Sequence, residues 1–400
     1  MKLSRVFGFI AGAAMLGVAG AGHAGEKQVK IGVLTDLTSF AASSMGPGSV
    51  LAVQLAVKDF GPTVNGKPIQ VISADMQSKP DLAVQIARRW YEAEDVDLIV
   101  DVPASAAAIA IQAMATEKNK TFIGSVAATP VLTGKGCSPN AVHWVANTAS
   151  LARGLVAPLM DAGAKTWFLI MPDYQLGKDL ANYATPLIAE RGGRVLDTVY
   201  YPTGSGDFAQ YLLRAQASGA DVIGSGGVGL DLSTQIKQAV EFGILPSSKQ
   251  KLAAFVMNLS DVHAVGLKTM QGLWIMQEYY WDQDDVTRKF AKSFFEASSK
   301  MPNFTHASDY SAVVAYLNAV KATGTDDPKT VIAAMKKNPP TRFGKPSTIR
   351  ADGRALFDAH LFQVKSPAES KAPWDYLKHV RAIPASQLFL PPDPDCPLAK

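Results

Sequence analysis

The chain has 400 residues, 48% of them apolar and 18% charged, with a formal net charge of +4. That composition describes a globular protein and excludes an intrinsically disordered one. So small a charge excess gives no electrostatic reason to expect nucleic acid or an anionic membrane surface as partner.

The first 24 residues read as an export signal. Lys2 and Arg5 precede a run of small apolar residues over 6–22, and Gly22-His23-Ala24 places small residues where a signal peptidase reads them. The run is short and rich in Ala and Gly for a membrane span, which needs roughly 20 strongly apolar residues; a retained anchor is the alternative. No Cys stands directly after the run, which argues against a lipid anchor. Removing Lys2 and Arg5 lowers the formal net charge from +4 to +2. The remainder exceeds what one hydrophobic core normally supports, so two domains are expected.

From residue 29 the chain alternates. Apolar runs over 29–34, 69–74, 96–100 and 121–125 predict strands, and amphipathic stretches over 49–60, 80–94 and 106–117 predict helices between them. A short segment at 130–133 continues the pattern. Runs apolar at every position, each followed by a helix, belong to a parallel sheet covered on both faces. Residues up to about 145 therefore form one doubly wound α/β lobe. The alternation restarts with helices over 151–162, 177–191, 208–218 and 232–242, and strands over 166–171, 194–200, 222–225 and 253–257. An aromatic strand-like run follows at 273–281, then helices at 285–299, 308–322 and 329–337 and a strand-like pair near 347–350 and 356–364. Gly61-Pro62, Gly163 and Gly192-Gly193 punctuate the joints.

Cys137 and Cys396 are the two cysteines. In an oxidising compartment such an isolated pair reads as one disulfide tying the C-terminal tail to the body, with two free buried thiols as the alternative. Neither has the neighbours of a metal site or a nucleophile.

Gly224-Ser225-Gly226-Gly227-Val228-Gly229 matches G-x-G-x-x-G between a strand and a helix. A dinucleotide fold also needs a ribose-binding acid about 20 residues on, at the end of the next strand. Here Glu241 falls inside the predicted helix and the next strand ends at Asn258. The glycines are read instead as letting backbone approach a ligand or an opposing loop. The six His residues are scattered singly, and no nucleophile elbow or phosphate loop is present. No cofactor or metal is expected. An exported enzyme with a triad drawn from distant residues stays as an alternative.

Small hydroxyl residues do occupy strand-to-helix turns. Ser105 follows the strand 96–100, and Ala127-Ala128-Thr129 follows the strand 121–125, with Pro130 placed as a first helical residue. In open parallel sheets ligands bind at such turns, and helix N-termini there suit a carboxylate. Simple N-capping is the alternative for each.

The residues 29–34, Ser125-Val126-Ala127-Ala128-Thr129-Pro130-Val131-Leu132-Thr133 and Asp173-Tyr174-Gln175-Leu176-Gly177 resemble the branched-chain amino-acid type of periplasmic binding proteins of ATP-driven importers. The resemblance runs over nearly the whole mature chain. It implies the type I fold: two Rossmann-like lobes joined by three crossover strands, near 144–148, 275–280 and 355–359. The lobes would be 26–146 plus 278–355 and 147–277 plus 356–400, with a disulfide joining the tail to the Cys137 loop. It also implies a non-enzymatic monomer that captures a small-molecule carboxylate and docks on a membrane permease; a sensor using the same clamp is the alternative.

Matched to the family, Ser105, Ala127 and Thr129 hold the ligand carboxylate. Asp173, Tyr174 and Gly227 complete the candidate set. The family's ammonium-caging tyrosine is replaced by Leu176, and the stretch 255–263 lacks its glutamate, with Asp261 the one nearby substitute. A buried ammonium without an anion costs several kcal/mol. The resemblance with those departures implies an acid lacking an α-amino group, with benzoate- and hydroxycinnamate-type acids first and a branched-chain or other apolar amino acid as the alternative. Phe40, Tyr174 and the loop Ser43-Ser44-Met45 would supply a flat polarizable wall, or simply pack the core.

Overall fold

The computed structural model describes residues 28–39, 41–245 and 249–399; the expected signal segment 1–24 and the candidate Phe40 lie outside the described residues. Strands β1 (Val29–Thr35), β2 (Thr63–Val64), β3 (Lys67–Asp75), β4 (Leu98–Asp101), β5 (Thr121–Gly124) and β6 (Ala141–His143) form a six-stranded sheet in the order β2-β3-β1-β4-β5-β6. All its pairings are parallel except β2 with β3. Strands β7 (Thr166–Pro172), β8 (Arg194–Tyr201), β9 (Val222–Ser225), β10 (Lys251–Ala254) and β11 (Trp274–Gln277) join Ala359–Val364 and Leu377–Ile383 in a seven-stranded sheet. Its order is Leu377–Ile383, Ala359–Val364, β11, β10, β9, β7, β8. The two terminal pairings on the Leu377–Ile383 side are antiparallel.

Helices cover the sheets for the reason the apolar strands require: both faces must leave water. The helix Pro80–Glu92 turns Ala83, Ile86, Ala87 and Trp90 inward at helical spacing and keeps Arg88 and Arg89 outside. The α/β class and the doubly wound parallel sheets expected from the alternation are present.

Local chemistry moves several boundaries. The helix Phe304–Thr323 begins four residues before its predicted start because Asn303 caps it. The Asn303 Oδ1 accepts from the backbone N–H of Thr305 and His306 at 3.0 and 3.1 Å, and its Nδ2 donates to the Ser44 carbonyl at 2.7 Å. The segment Pro130–Thr133 is a 3₁₀ turn. Leu377–Ile383 is a strand with no apolar run, buried mainly at its two ends. A disulfide joins Cys137 to Cys396 with the Cα atoms 5.7 Å apart, holding the C-terminal tail to the loop before β6.

The chain passes between the sheets after β6, after β11 and before Ala359–Val364. Buried charge pins the three passes together. Glu278 accepts from the Ala146 N–H at 2.6 Å through Oε1 and from Arg342 Nη2 at 3.0 Å through Oε2. The Arg342 guanidinium lies 3.7 Å from the centre of the Phe357 ring. Arg354 donates to the carbonyls of Val145 and Ala355. Burial raises the Glu278 carboxyl while Arg342 pulls it down, and burial lowers Arg354 to about 9.

Candidate functional site

The turns at the carboxyl ends of the parallel strands converge on a cavity of about 280 Å³ between the two sheets. The turns after β3, β1, β4 and β5 bring Ser78, Asp36, Ser105 and Ala128 to it; those after β7, β8, β9 and β10 bring Tyr174, Thr203, Val228 and Val256. Met45, Met76, Leu151 and Phe304 supply apolar wall. A crevice at strand carboxyl ends is where open α/β sheets bind ligands. Its volume is near the lower end of the usual range of about 300–1,000 Å³, so a small ligand fits.

Among the described residues lining the cavity there is no Lys, Arg or His, and Asp36 is the one carboxyl group. Positive potential comes from backbone instead. The helices Ser105–Glu117 and Gln175–Glu190 start at the cavity from opposite sheets, and their N-cap residues, Ala104 and Tyr174, make no side-chain cap. The first-turn N–H groups therefore stay open to an acceptor. Gly177 permits this at the second helix: a Cβ there would lie 2.0 Å from the Pro172 carbonyl oxygen.

The turn carrying Ser105 is strained. Asp101 and Val102 have φ of 74° and 54°, a left-handed conformation that a β-branched valine rarely adopts. Two bonds impose it: Val102 N–H donates to the Leu34 carbonyl at 2.9 Å, and Asp101 N–H to the Ser125 hydroxyl at 2.9 Å. Ser125 in turn donates to Asp309 Oδ1 at 2.6 Å. Two turns and the helix Phe304–Thr323 are thus tied beneath the cavity. Burial raises both Asp101 and Asp309 above the ordinary carboxylate range, and each raises the other or is raised by a further acid: Asp36 acts on Asp101, and Asp101 on Asp309.

Of the candidates from sequence, Ser105 and Tyr174 line the cavity, and so does Leu176 at the family's tyrosine position. The others do not. In the 125–129 turn Val126 and Ala128 face the cavity, while Ala127 is buried with its carbonyl oxygen 2.7 Å from His143 Nε2. Thr129 is buried as the cap of the 3₁₀ turn, its hydroxyl accepting from Val131 N–H at 3.4 Å. Asp173 points outward beside Lys178 at 3.2 Å. Gly227 sits against the start of the helix Leu230–Glu241, 3.1 Å from Leu232 backbone by its would-be Cβ, and Val228 takes the cavity position. Asp261 closes a capping box on Leu259–Val265, accepting from Asn258 N–H at 2.8 Å, and burial raises it to about 7.

Asp36, Met76, Leu151, Thr203 and Phe304 were not singled out in the sequence. For Asp36, Met76 and Thr203 a signal was there: each stands one or two residues past the end of a strand in a parallel sheet.

Residues 28–371 match the family described as periplasmic binding protein. A periplasmic binding protein from Burkholderia mallei is 41% identical, with a TM-score of 0.89 over 94% of this chain and 100% of that one. A branched chain amino acid ABC transporter periplasmic ligand-binding protein from Burkholderia xenovorans is 38% identical, with a TM-score of 0.85 over 93% and 100%. An ABC-transporter solute binding protein from R. palustris, in complex with 4-hydroxybenzoate, shares the fold at 21% identity, with a TM-score of 0.82 over 90% and 97%.

Proposed function

The chain belongs to the periplasmic binding proteins, and we propose that it captures a small aromatic carboxylic acid between its lobes for delivery to the permease of an ABC importer. One observation carries the ligand class: two uncapped helix N-termini, one from each sheet, open into an apolar cavity with Leu176 at the ammonium-caging tyrosine position. Backbone N–H groups and the Ser105 hydroxyl receive the carboxylate. Met45, Met76, Leu151 and Phe304 pack the ring. The lobes, 26–146 with 278–355 and 147–277 with 356–400, close on the ligand because it bridges both and so favours the closed state. Residues 1–24 direct export. The structural neighbour holding 4-hydroxybenzoate supports the aromatic choice.

A second reading, an apolar amino acid, is favoured by Asp36, the one carboxyl group among the described residues lining the cavity. Thermal unfolding separates the two. Protein refolded from denaturant, to strip carried-through ligand, is scanned with benzoate, 4-hydroxybenzoate, hydroxycinnamates, leucine and valine. A ligand at 100 times its Kd stabilises by about 2.7 kcal/mol. Aromatic acids alone should raise Tm; a rise with leucine and none with any aromatic acid contradicts the proposal.

A further inference from the structure

The six His residues are scattered singly along the sequence, yet folding brings two of them together. His360 Nδ1 and His379 Nε2 lie 3.0 Å apart across the antiparallel strands Ala359–Val364 and Leu377–Ile383, at the end of the seven-stranded sheet. A bulge makes the meeting. His360 pairs with Ala382 and Leu361 with Arg381, but Phe362 pairs with His379, so Val380 is passed over. Side chains alternate between the two faces along a strand. In an unbroken ladder Val380 would stand opposite Phe362, on the face that carries His360; the extra residue puts His379 there instead. The three rings gather accordingly: the two imidazole centroids are 5.0 Å apart, and Phe362 lies 6.1 Å from His360 and 5.5 Å from His379. Bulges at sheet edges re-aim side chains in this way.

Both imidazoles are placed to ligate a metal. His379 is exposed and His360 half-buried, so the pair is open to solvent. Burial, and then the neighbouring His379 and Lys345, lowers His360 to about 4 against the pull of Asp358. It is therefore uncharged at neutral pH, the form that binds metal. With metal–nitrogen bonds of about 2.0–2.1 Å, two ligands at a right angle stand about 2.9 Å apart, and two at the tetrahedral angle about 3.4 Å. The observed separation falls within that span. Each ring has only to turn its nitrogen from its partner toward a common point, and the exposed His379 ring has room to do so. Among the described residues no group of three or more His, Cys, Asp or Glu is placed to hold a metal ion, so water completes the shell. Imidazole suits Ni²⁺, Cu²⁺ and Zn²⁺, whereas Mg²⁺ and Ca²⁺ take oxygen ligands.

We propose that His360 and His379 form a two-histidine surface site for a divalent transition-metal ion, which on binding ties the terminal strand of the sheet to its neighbour.

The test is calorimetric titration of the mature chain, stripped with chelator and carrying no affinity tag, with Zn²⁺, Ni²⁺ and Mg²⁺. The protein forms are wild type, His379→Ala, His360→Gln and His263→Ala. His379 is exposed, so its loss leaves the core intact if the His360 variant fails to fold. His263 is the control: it is exposed, with its Nδ1 2.7 Å from the Tyr376 hydroxyl and its ring stacked on Trp374 at 3.8 Å. The expected result is one Zn²⁺ or Ni²⁺ per chain and no binding of Mg²⁺. Affinity should fall by at least about tenfold in His379→Ala and His360→Gln and hold in His263→Ala. Saturating Zn²⁺ should raise Tm in wild type and leave His379→Ala unchanged. Wild-type protein that binds neither transition ion, binding that survives the loss of His379, or binding lost in His263→Ala overturns the proposal and leaves the pair as a hydrogen bond on a blunted sheet edge.

Discussion

Two buried charged clusters, one at the crossings and one under the cavity, treat charge in opposite ways. At the crossings, Glu278 is bonded to Arg342, and Arg354 lies near enough to act on it. Under the cavity, Asp101 and Asp309 share Ser125 as a go-between, with Asp36 close by and no Lys, Arg or His among the groups acting on either acid. Opposite charges in a low-dielectric interior hold one another ionised only with good geometry, and like charges there take up protons instead. The crossings therefore gain a fixed geometry. The cavity floor is a strained, proton-holding support for the turn that carries Ser105. Stability resides in the first region, and the second supports a turn of the candidate site.

Removing an anion from the crossings should have the largest effect. Glu278→Ala leaves Arg342 buried without its carboxylate and removes one of the two acids acting on Arg354, and should cost about 3–5 kcal/mol in urea unfolding. A loss no larger than that of an exposed ion pair, under about 1 kcal/mol, would erase the contrast between the regions.

Removing an acid from the floor should act in the other direction. Asp309→Asn mimics the protonated carboxyl, so the smallest change is expected at the acid end of the range, near pH 3, where the acid is protonated in the folded state and mostly so in the unfolded one. The unfolded acid, about half ionised already at pH 4, finishes ionising as pH rises through the ordinary carboxylate range, while the folded one, raised by burial, holds its proton. The folded state then binds more protons, and wild-type stability from this group falls. The variant should be more stable by on the order of 1–3 kcal/mol at pH 8. Burial lowers His143 and His306, whose contributions run the opposite way with pH, so the quantity to measure is the difference between variant and wild type. A difference that stays flat between pH 3 and 8 would mean that Asp309 is not the proton holder.

Ser125→Ala is the finest probe. It removes the bridge between the Asp101 N–H and Asp309 and should cost about 1–2 kcal/mol. Because Asp101 and Val102 lose a restraint on their left-handed backbone, ligand affinity should fall as well, by several-fold. Lost stability with affinity unchanged would separate the floor from the site it supports.

The fold class was legible because strands buried on both faces leave all-apolar runs, as in Val29–Thr35 and Thr166–Pro172. Leu377–Ile383 was not, since an edge strand with a polar middle carries no such signal. Ser105 was legible as the start of a helix after a strand, whereas which residues of the 125–129 turn face the cavity was not. Turn residues follow no period, and the facing of Ala128 rather than Ala127 is set by bonds from His143 and Thr148. Asp261 looked like an available acid because capping geometry does not show in composition. Glu278 and Arg342 lie 64 residues apart, and nothing local in the sequence announces their pairing.

The most direct test of a carboxylate held between the lobes is a crystal structure of the refolded protein with the aromatic acid that raises Tm most. The carboxylate should lie against Ser105 and the first turns of Ser105–Glu117 and Gln175–Glu190, with the ring among Met45, Met76, Leu151 and Phe304. An acid found instead in the cavity lined by Arg350, Arg354 and Asn147 on the crossing side, with the inter-sheet cavity empty, would contradict the account.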